Sequence, residues 1–186
     1  MPNPIIDTTV ALLGRLDQET RAVADAGVRA RSLDALGEEI DLETQLNLMK
    51  AAKYIAAADG LSAAELRSMK TMMEQYDLPD SILWHILEFD ESEVEPGHVG
   101  ELAQPGHGAR LLLSAMAHFA AVDGLSELEE NRAIEVGRAL SIAPKVVEAL
   151  LVEARINYVA LRRRDEEQLQ LLRQLRFALF DLDCRE

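Results

Sequence analysis

Ala57-Ala58-Asp59-Gly60-Leu61-Ser62-Ala63-Ala64-Glu65 recurs as Ala121-Val122-Asp123-Gly124-Leu125-Ser126-Glu127-Leu128-Glu129, displaced by 64 positions. A match at a fixed offset marks a structural unit present twice. The match runs outward from the turn without a gap. Ala51 meets Ala115, Ala56 meets Ala120, and Ala57 meets Ala121. Downstream, Leu78, Ile82, Leu83, Ile86 and Leu87 meet Ile142, Val146, Val147, Leu150 and Leu151. The units therefore span residues 49–88 and 113–152. Two copies are too few for a solenoid, whose stability comes from stacking many. A single domain with an internal pseudo-twofold repeat is expected.

Each unit reads as three helices, because its apolar residues recur at three- and four-residue spacing. Gly60 and Gly124 stand where a left-handed residue ends a helix. Ser62-x-x-Glu65 and Ser126-x-x-Glu129 have capping-box spacing: the serine oxygen takes a backbone N–H and the glutamate reaches back to the cap. Pro79 and Pro144 suit the first turn of a third helix. No run of alternating β-branched residues reads as a strand, so the fold class is all-α. Aromatic residues make up only 4% of the chain, so alanine and leucine carry the packing. Faces such as Ala51, Ala52, Ala56 and Ala57 let helices approach closely. Trp84, Met69, Met72 and Met73 sit at helical spacing and read as core.

The rest of the 186-residue chain reads as additions to that unit pair. Residues 1–40 are expected to hold one long helix beginning after Asp7, with a stripe of Val10, Leu13, Leu16, Thr20, Val23 and Gly27, and ending near Gly37. Asp41 is expected to cap the helix that carries Met49. Residues 90–108, rich in Asp, Glu, Pro and Gly, read as a linker. Residues 161–182 read as a final helix with a stripe of Leu172, Leu175, Leu179 and Leu182, in part available for self-association.

Net charge is −14, which argues against nucleic-acid binding and against anionic membrane surfaces, both of which need clustered Lys and Arg. The one basic run, Arg162-Arg163-Arg164, is followed by Asp165-Glu166-Glu167 and reads as a salt-bridged solvated face. No signal-like start and no membrane-length apolar run appear. Cys184 is the only cysteine, so no internal disulfide forms and a cytoplasmic location is expected.

Asp59 and Asp123 follow helix C-termini, where a negative charge is disfavoured. Their matched positions ask for a local role. One is an Asx-type turn that accepts N–H groups beyond the glycine. The other is cation binding: if the two units pack about a pseudo-twofold axis, Asp59, Glu65, Asp123 and Glu129 pool four carboxylates, the oxygen donors that hard divalent cations take. An EF-hand is excluded, because Asp59 to Glu65 is one residue too short and alanines fill the preceding ligand positions. Glu95-x-x-His98 has di-iron spacing but encloses Pro96-Gly97 and reads as non-helical linker. His118, which matches Tyr54, reads as a satisfied and partly buried side chain. No phosphate loop, HExxH, GxSxG or CxxC pattern is present, and no catalytic residue is assigned.

Ala-x-x-Asp-Gly followed by a hydrophobic residue, a small polar cap and a glutamate resembles the tellurite-resistance TerB family, whose domain also forms the N-terminal part of DjlA-type co-chaperones. The resemblance covers residues 40–155. It implies an all-helical, internally repeated, non-enzymatic bacterial protein of stress response. It places an acidic metal site at Asp59, Glu65, Asp123 and Glu129, with a divalent cation as the one cofactor. Leu61 and Leu125 follow glycine directly, so each turn is one residue shorter than the family's. No J-domain accompanies it, so a co-chaperone role is not implied. The alternative is a protein–protein scaffold without metal, with a protein partner or self-association at the terminal helices. A metal-dependent enzyme ranks last.

Overall fold

The computed structural model describes residues 2–36, 39–76 and 78–182. Among them there are α-helices and one 3-10 turn, and no strand. The helices are α1 Pro4–Leu13, α2 Gln18–Leu36, α3 Leu42–Ala56, α4 Ala63–Gln75 and α5 Asp80–Leu87. After a 3-10 turn at Glu91–Glu93 come α6 Pro96–Gly100, α7 His107–Ala120, α8 Glu127–Ala139, α9 Pro144–Arg163 and α10 Glu166–Phe180.

The helix boundaries follow the 64-residue offset. α3 and α7 end at Ala56 and Ala120, α4 and α8 begin at Ala63 and Glu127, and α5 and α9 begin at Asp80 and Pro144. α3 and α7 are the central pair. Small side chains let them meet: Ala51, Ala56, Ala117 and Ala120 have no exposed surface. α1 and α2 lie on α3, α9 and α10 lie on α7, and α6 lies on α8. The last approach is tight, because a Cβ on Gly100 would stand 2.8 Å from the Ala139 carbonyl oxygen.

Several expectations change. The N-terminal region is two helices rather than one. Asn3 caps α1, its Oδ1 accepting from Ile5 and Ile6, with Pro4 at the first position. The chain then breaks at Gly14–Leu16, and Asp17 accepts from the Thr20 N–H at 2.8 Å to start α2. The break shifts the helical phase, so Val10 and Val23 are exposed while Ile5, Leu12, Ala24 and Val28 are buried. Gly37 and Cys184 lie outside the described residues.

The segment 90–108 is ordered rather than a plain linker. Pro96 opens the short helix α6, with Glu95 outside it as the extended cap residue, so Glu95-x-x-His98 does not sit on one helix, and His98 Nδ1 accepts the Glu95 N–H at 3.1 Å as a local cap. Val94 and Val99 are buried in the core. Asp41 does cap α3, through the Thr44 N–H. Pro144 opens α9, but Pro79 precedes α5 as its cap residue.

α9 runs on to Arg163, past the end expected for its unit. Arg162 and Arg163 thus sit in its last turn, and Asp165 caps α10 through the Gln168 N–H. Each sign complements a helix end, and the described residues show no ion pair between the two runs. On α10, Leu172, Leu179 and Phe180 are buried, and Leu175 and, just beyond the helix, Leu182 are exposed. Trp84 is not core: 59% of its surface is exposed. Met69 and Met73 are buried as expected. No described helix is long and apolar enough to cross a membrane.

Candidate cation site at the paired Asp-Gly turns

Both turns leave their helices in the same way. The Gly60 N–H donates to the Ala57 carbonyl, and the Gly124 N–H to that of Ala121. The glycines have φ of +99° and +111°, a backbone region that side-chain-bearing residues rarely adopt. Two residues later each chain enters its next helix through a complete capping box. Ser62 Oγ accepts from the Glu65 N–H at 3.1 Å, and Glu65 Oε2 accepts from the Ser62 N–H at 2.7 Å. Ser126 and Glu129 repeat this at 3.2 and 2.7 Å. The expected caps are therefore present in both units.

The two turns meet. Asp59, Gly60, Ser62 and Glu65 line one cavity together with Asp123, Gly124, Ser126 and Glu129, with a volume of about 290 Å³. The glutamates form its floor, only 2% and 3% exposed. Their carboxyl groups line the same cavity and interact, which favours one proton on the pair over two ionised carboxylates. Burial pushes Glu65 up to about 7, helped by the proximity of Glu129. Burial likewise raises Glu129, with the charge of Asp59 adding to it. Glu65 Oε1 is buried and has no hydrogen-bond partner.

The aspartates stand at the exposed rim. The Asx-type turn is not formed, since neither carboxylate accepts a hydrogen bond among the described residues. Two acidic groups thus face the cavity mouth with no structural duty that the turn imposes. As the side chains stand, no three of the described His, Cys, Asp and Glu residues are gathered closely enough to hold a metal ion. An exposed aspartate without a bond to break can change rotamer at little cost. Shared protonation of the glutamates, or a cation between them and the aspartates, are the two ways to discharge this cavity.

A second polar cluster was not foreseen. Glu153, with no exposed surface, receives Arg176 Nη2 at 2.8 Å and faces His118 Nε2 at 2.9 Å. His118 Nδ1 lies 2.8 Å from the Ser114 carbonyl oxygen, and the ring is partly buried, as expected, but Nε2 meets Glu153 at ion-pair distance without hydrogen-bond geometry. Burial alone would raise Glu153, but the contacts with His118 and Arg176 outweigh it and hold the carboxyl below its ordinary value. A glutamate between Leu150, Leu151 and Ala154 on a buried face was the available signal.

Lys50 was also missed. It is fully buried, donates to Thr8 and Thr9 at 2.7 and 2.9 Å, and has no carboxylate partner among the described residues. Burial lowers it to about 7. Lys53 is buried but provided for: it donates to the Leu87 and Phe89 carbonyls at the end of α5 and pairs with Glu91 at 3.0 Å.

Comparison of the chain with family models, with curated proteins and with solved structures finds no match.

Proposed function

We propose that this chain is a non-enzymatic helical protein of the TerB-like, tellurite- and stress-resistance type, and that its two Asp-Gly turns form one divalent-cation site across a pseudo-twofold axis. The observation that carries this reading is the shared cavity of two turns 64 residues apart. It gathers two buried carboxyls and two exposed aspartates that have no protein partner among the described residues. Oxygen-rich, acidic and open at the rim, it has the donor chemistry of Ca²⁺ or Mg²⁺ sites rather than of zinc sites. The cation would replace the shared proton and relieve the repulsion among four carboxylates.

The test is a melting curve. A ligand that binds only the folded state stabilises it by RT ln(1 + [L]/Kd), about 2.7 kcal/mol at a hundredfold excess over Kd. Ca²⁺ or Mg²⁺ should therefore raise the melting temperature of chelator-treated protein. Asp59→Asn with Asp123→Asn should remove that response and leave the metal-free protein at least as stable, because neither aspartate holds its turn. A response unchanged in the double variant would sink the assignment.

A metal-free scaffold is the second reading. Val152, Ile156 and Val159 on α9 favour it, being 45%, 37% and 39% exposed at one-turn spacing, an apolar stripe suited to a partner helix. On that reading, cations leave the melting temperature unchanged and a Val152→Glu, Ile156→Glu variant loses self-association or partner binding in sedimentation.

A further inference from the structure

We propose that the cleft between α3, α4, α7 and α10 is a binding site for a small apolar carboxylic acid of the size of a medium-chain fatty acid. This site is separate from the acidic cavity and does not depend on the cation reading.

The cleft has a volume of about 330 Å³, within the range of small-molecule sites, which are typically apolar with a few placed polar groups. Its walls come from Leu48, Met72, Phe119, Phe177 and Phe180 among others. Phe177 and Phe180, both on α10, meet edge to face, their centroids 6.0 Å apart. A chain or ring laid here would exchange water for apolar surface, the main source of affinity for such ligands.

Gln45 points to an occupant. It is 1% exposed and lines the cleft. Its Oε1 has no hydrogen-bond partner, and its Nε2 finds only the Met72 sulfur at 4.0 Å. The two amide atoms are interchangeable in assignment, so the group as a whole offers one donor and one acceptor. Leaving such a group unpaired in the interior is costly. Gln45 lies just outside the first unit and the residue 64 positions on is Ala109, so the helix itself requires no amide there.

Charge chooses the head group. Among the described residues none lining the cleft is acidic, in a chain whose net charge is −14. Arg176 and His118 line it instead. Arg176 uses Nε and Nη2 on Glu153 and Asn157, which leaves Nη1 without an acceptor among the described residues. A carboxyl group supplies acceptors for a guanidinium and for an amide N–H, and when protonated a donor for the amide oxygen. An amine would meet a guanidinium and no carboxylate. An alcohol would satisfy the amide but offers Arg176 a neutral acceptor in place of a charged one, a bond about half as strong.

The experiment uses the full chain labelled at its methionine methyl groups and titrated with decanoate, and separately with decan-1-ol, below the concentration at which either aggregates. Met72 lines the cleft, whereas Met69 and Met73 lie on the same helix outside it and serve as controls. The Met72 signal should move saturably while those two hold, and decanoate should bind at least tenfold more tightly than decanol. Gln45→Leu should keep the folded spectrum and weaken decanoate at least tenfold. Ala115→Phe, which fills the cleft from a half-buried position on α7, should abolish the shift without touching the amide. No saturable movement at Met72, equal binding of the alcohol, or unaltered decanoate binding in either variant would overturn the proposal.

Discussion

Glu65 and Glu129 are carboxyls buried side by side, and such a pair keeps a proton that solvent would remove. The consequence for stability has a definite sign. Glu65 is raised from 4.5 to about 7 in the folded protein, so between those values the folded form binds more protons than the unfolded chain. Stability from this group is full below pH 4.5 and is lost as pH rises through 7, by up to about 1.4 kcal/mol per unit for one linked proton. Urea midpoints in chelator at about pH 5 and about pH 7.5, on either side of that loss, should show it, and Glu65→Gln should reduce it relative to wild type. An identical slope in the variant would show that the pair does not hold the proton. Lys50 works in the opposite direction. Its folded value is lowered from 10.5 to about 7, so the unfolded chain binds the extra proton between them and stability rises with pH from 7 to 10.5. Lys50→Met should remove that rise and be more stable than wild type near neutral pH, since it replaces a buried charge without a carboxylate partner by an apolar chain. A destabilised Lys50→Met with the slope intact would mean that the Thr8 and Thr9 bonds dominate.

At the scale of elements, the two capping boxes do the same work in α4 and α8. Ser62→Ala and Ser126→Ala should each cost about 0.5–2 kcal/mol, read as a lower denaturant midpoint with an unchanged slope. Midpoints equal to wild type would show that the hydroxyls do not cap. These helix starts were legible because a cap is a local pattern: serine, glutamate three residues on, and glycine before them. Asn3 with Pro4, and Asp17 with Thr20, carry cap chemistry as well. They were missed because the apolar residues around Gly14 can be read through the break as one stripe. Burial was less legible than helicity. Trp84 is apolar but faces out, while Glu153 and Lys50 are charged and face in. What decides these is which neighbour each face meets, and a single helix's spacing does not state that. The extension of α9 to Arg163 was hidden for a related reason: the sequence after Val152 has no breaker before Arg163, and the match to the shorter α5 suggested an end that no residue enforces.

For the whole molecule, the arrangement of α3 against α7 matters most, since the turns leave from the ends of these two central helices and meet over one cavity. The four carboxylates could be named from the repeat alone. The capping role of the glutamates was legible too, but their burial was not: Glu65 and Glu129 lie inside while the aspartates stand at the rim. The central claim is that two turns make one cation site. The direct measurement is the number of Ca²⁺ or Mn²⁺ ions bound per chain by calorimetry at about pH 8, where the shared proton competes least. The account predicts one ion per chain in the wild type and none in Asp59→Asn, Glu65→Gln or in Asp123→Asn, Glu129→Gln, because either turn alone supplies half the ligands. Two ions per chain with one surviving in each variant, or no ion in the wild type, would contradict it.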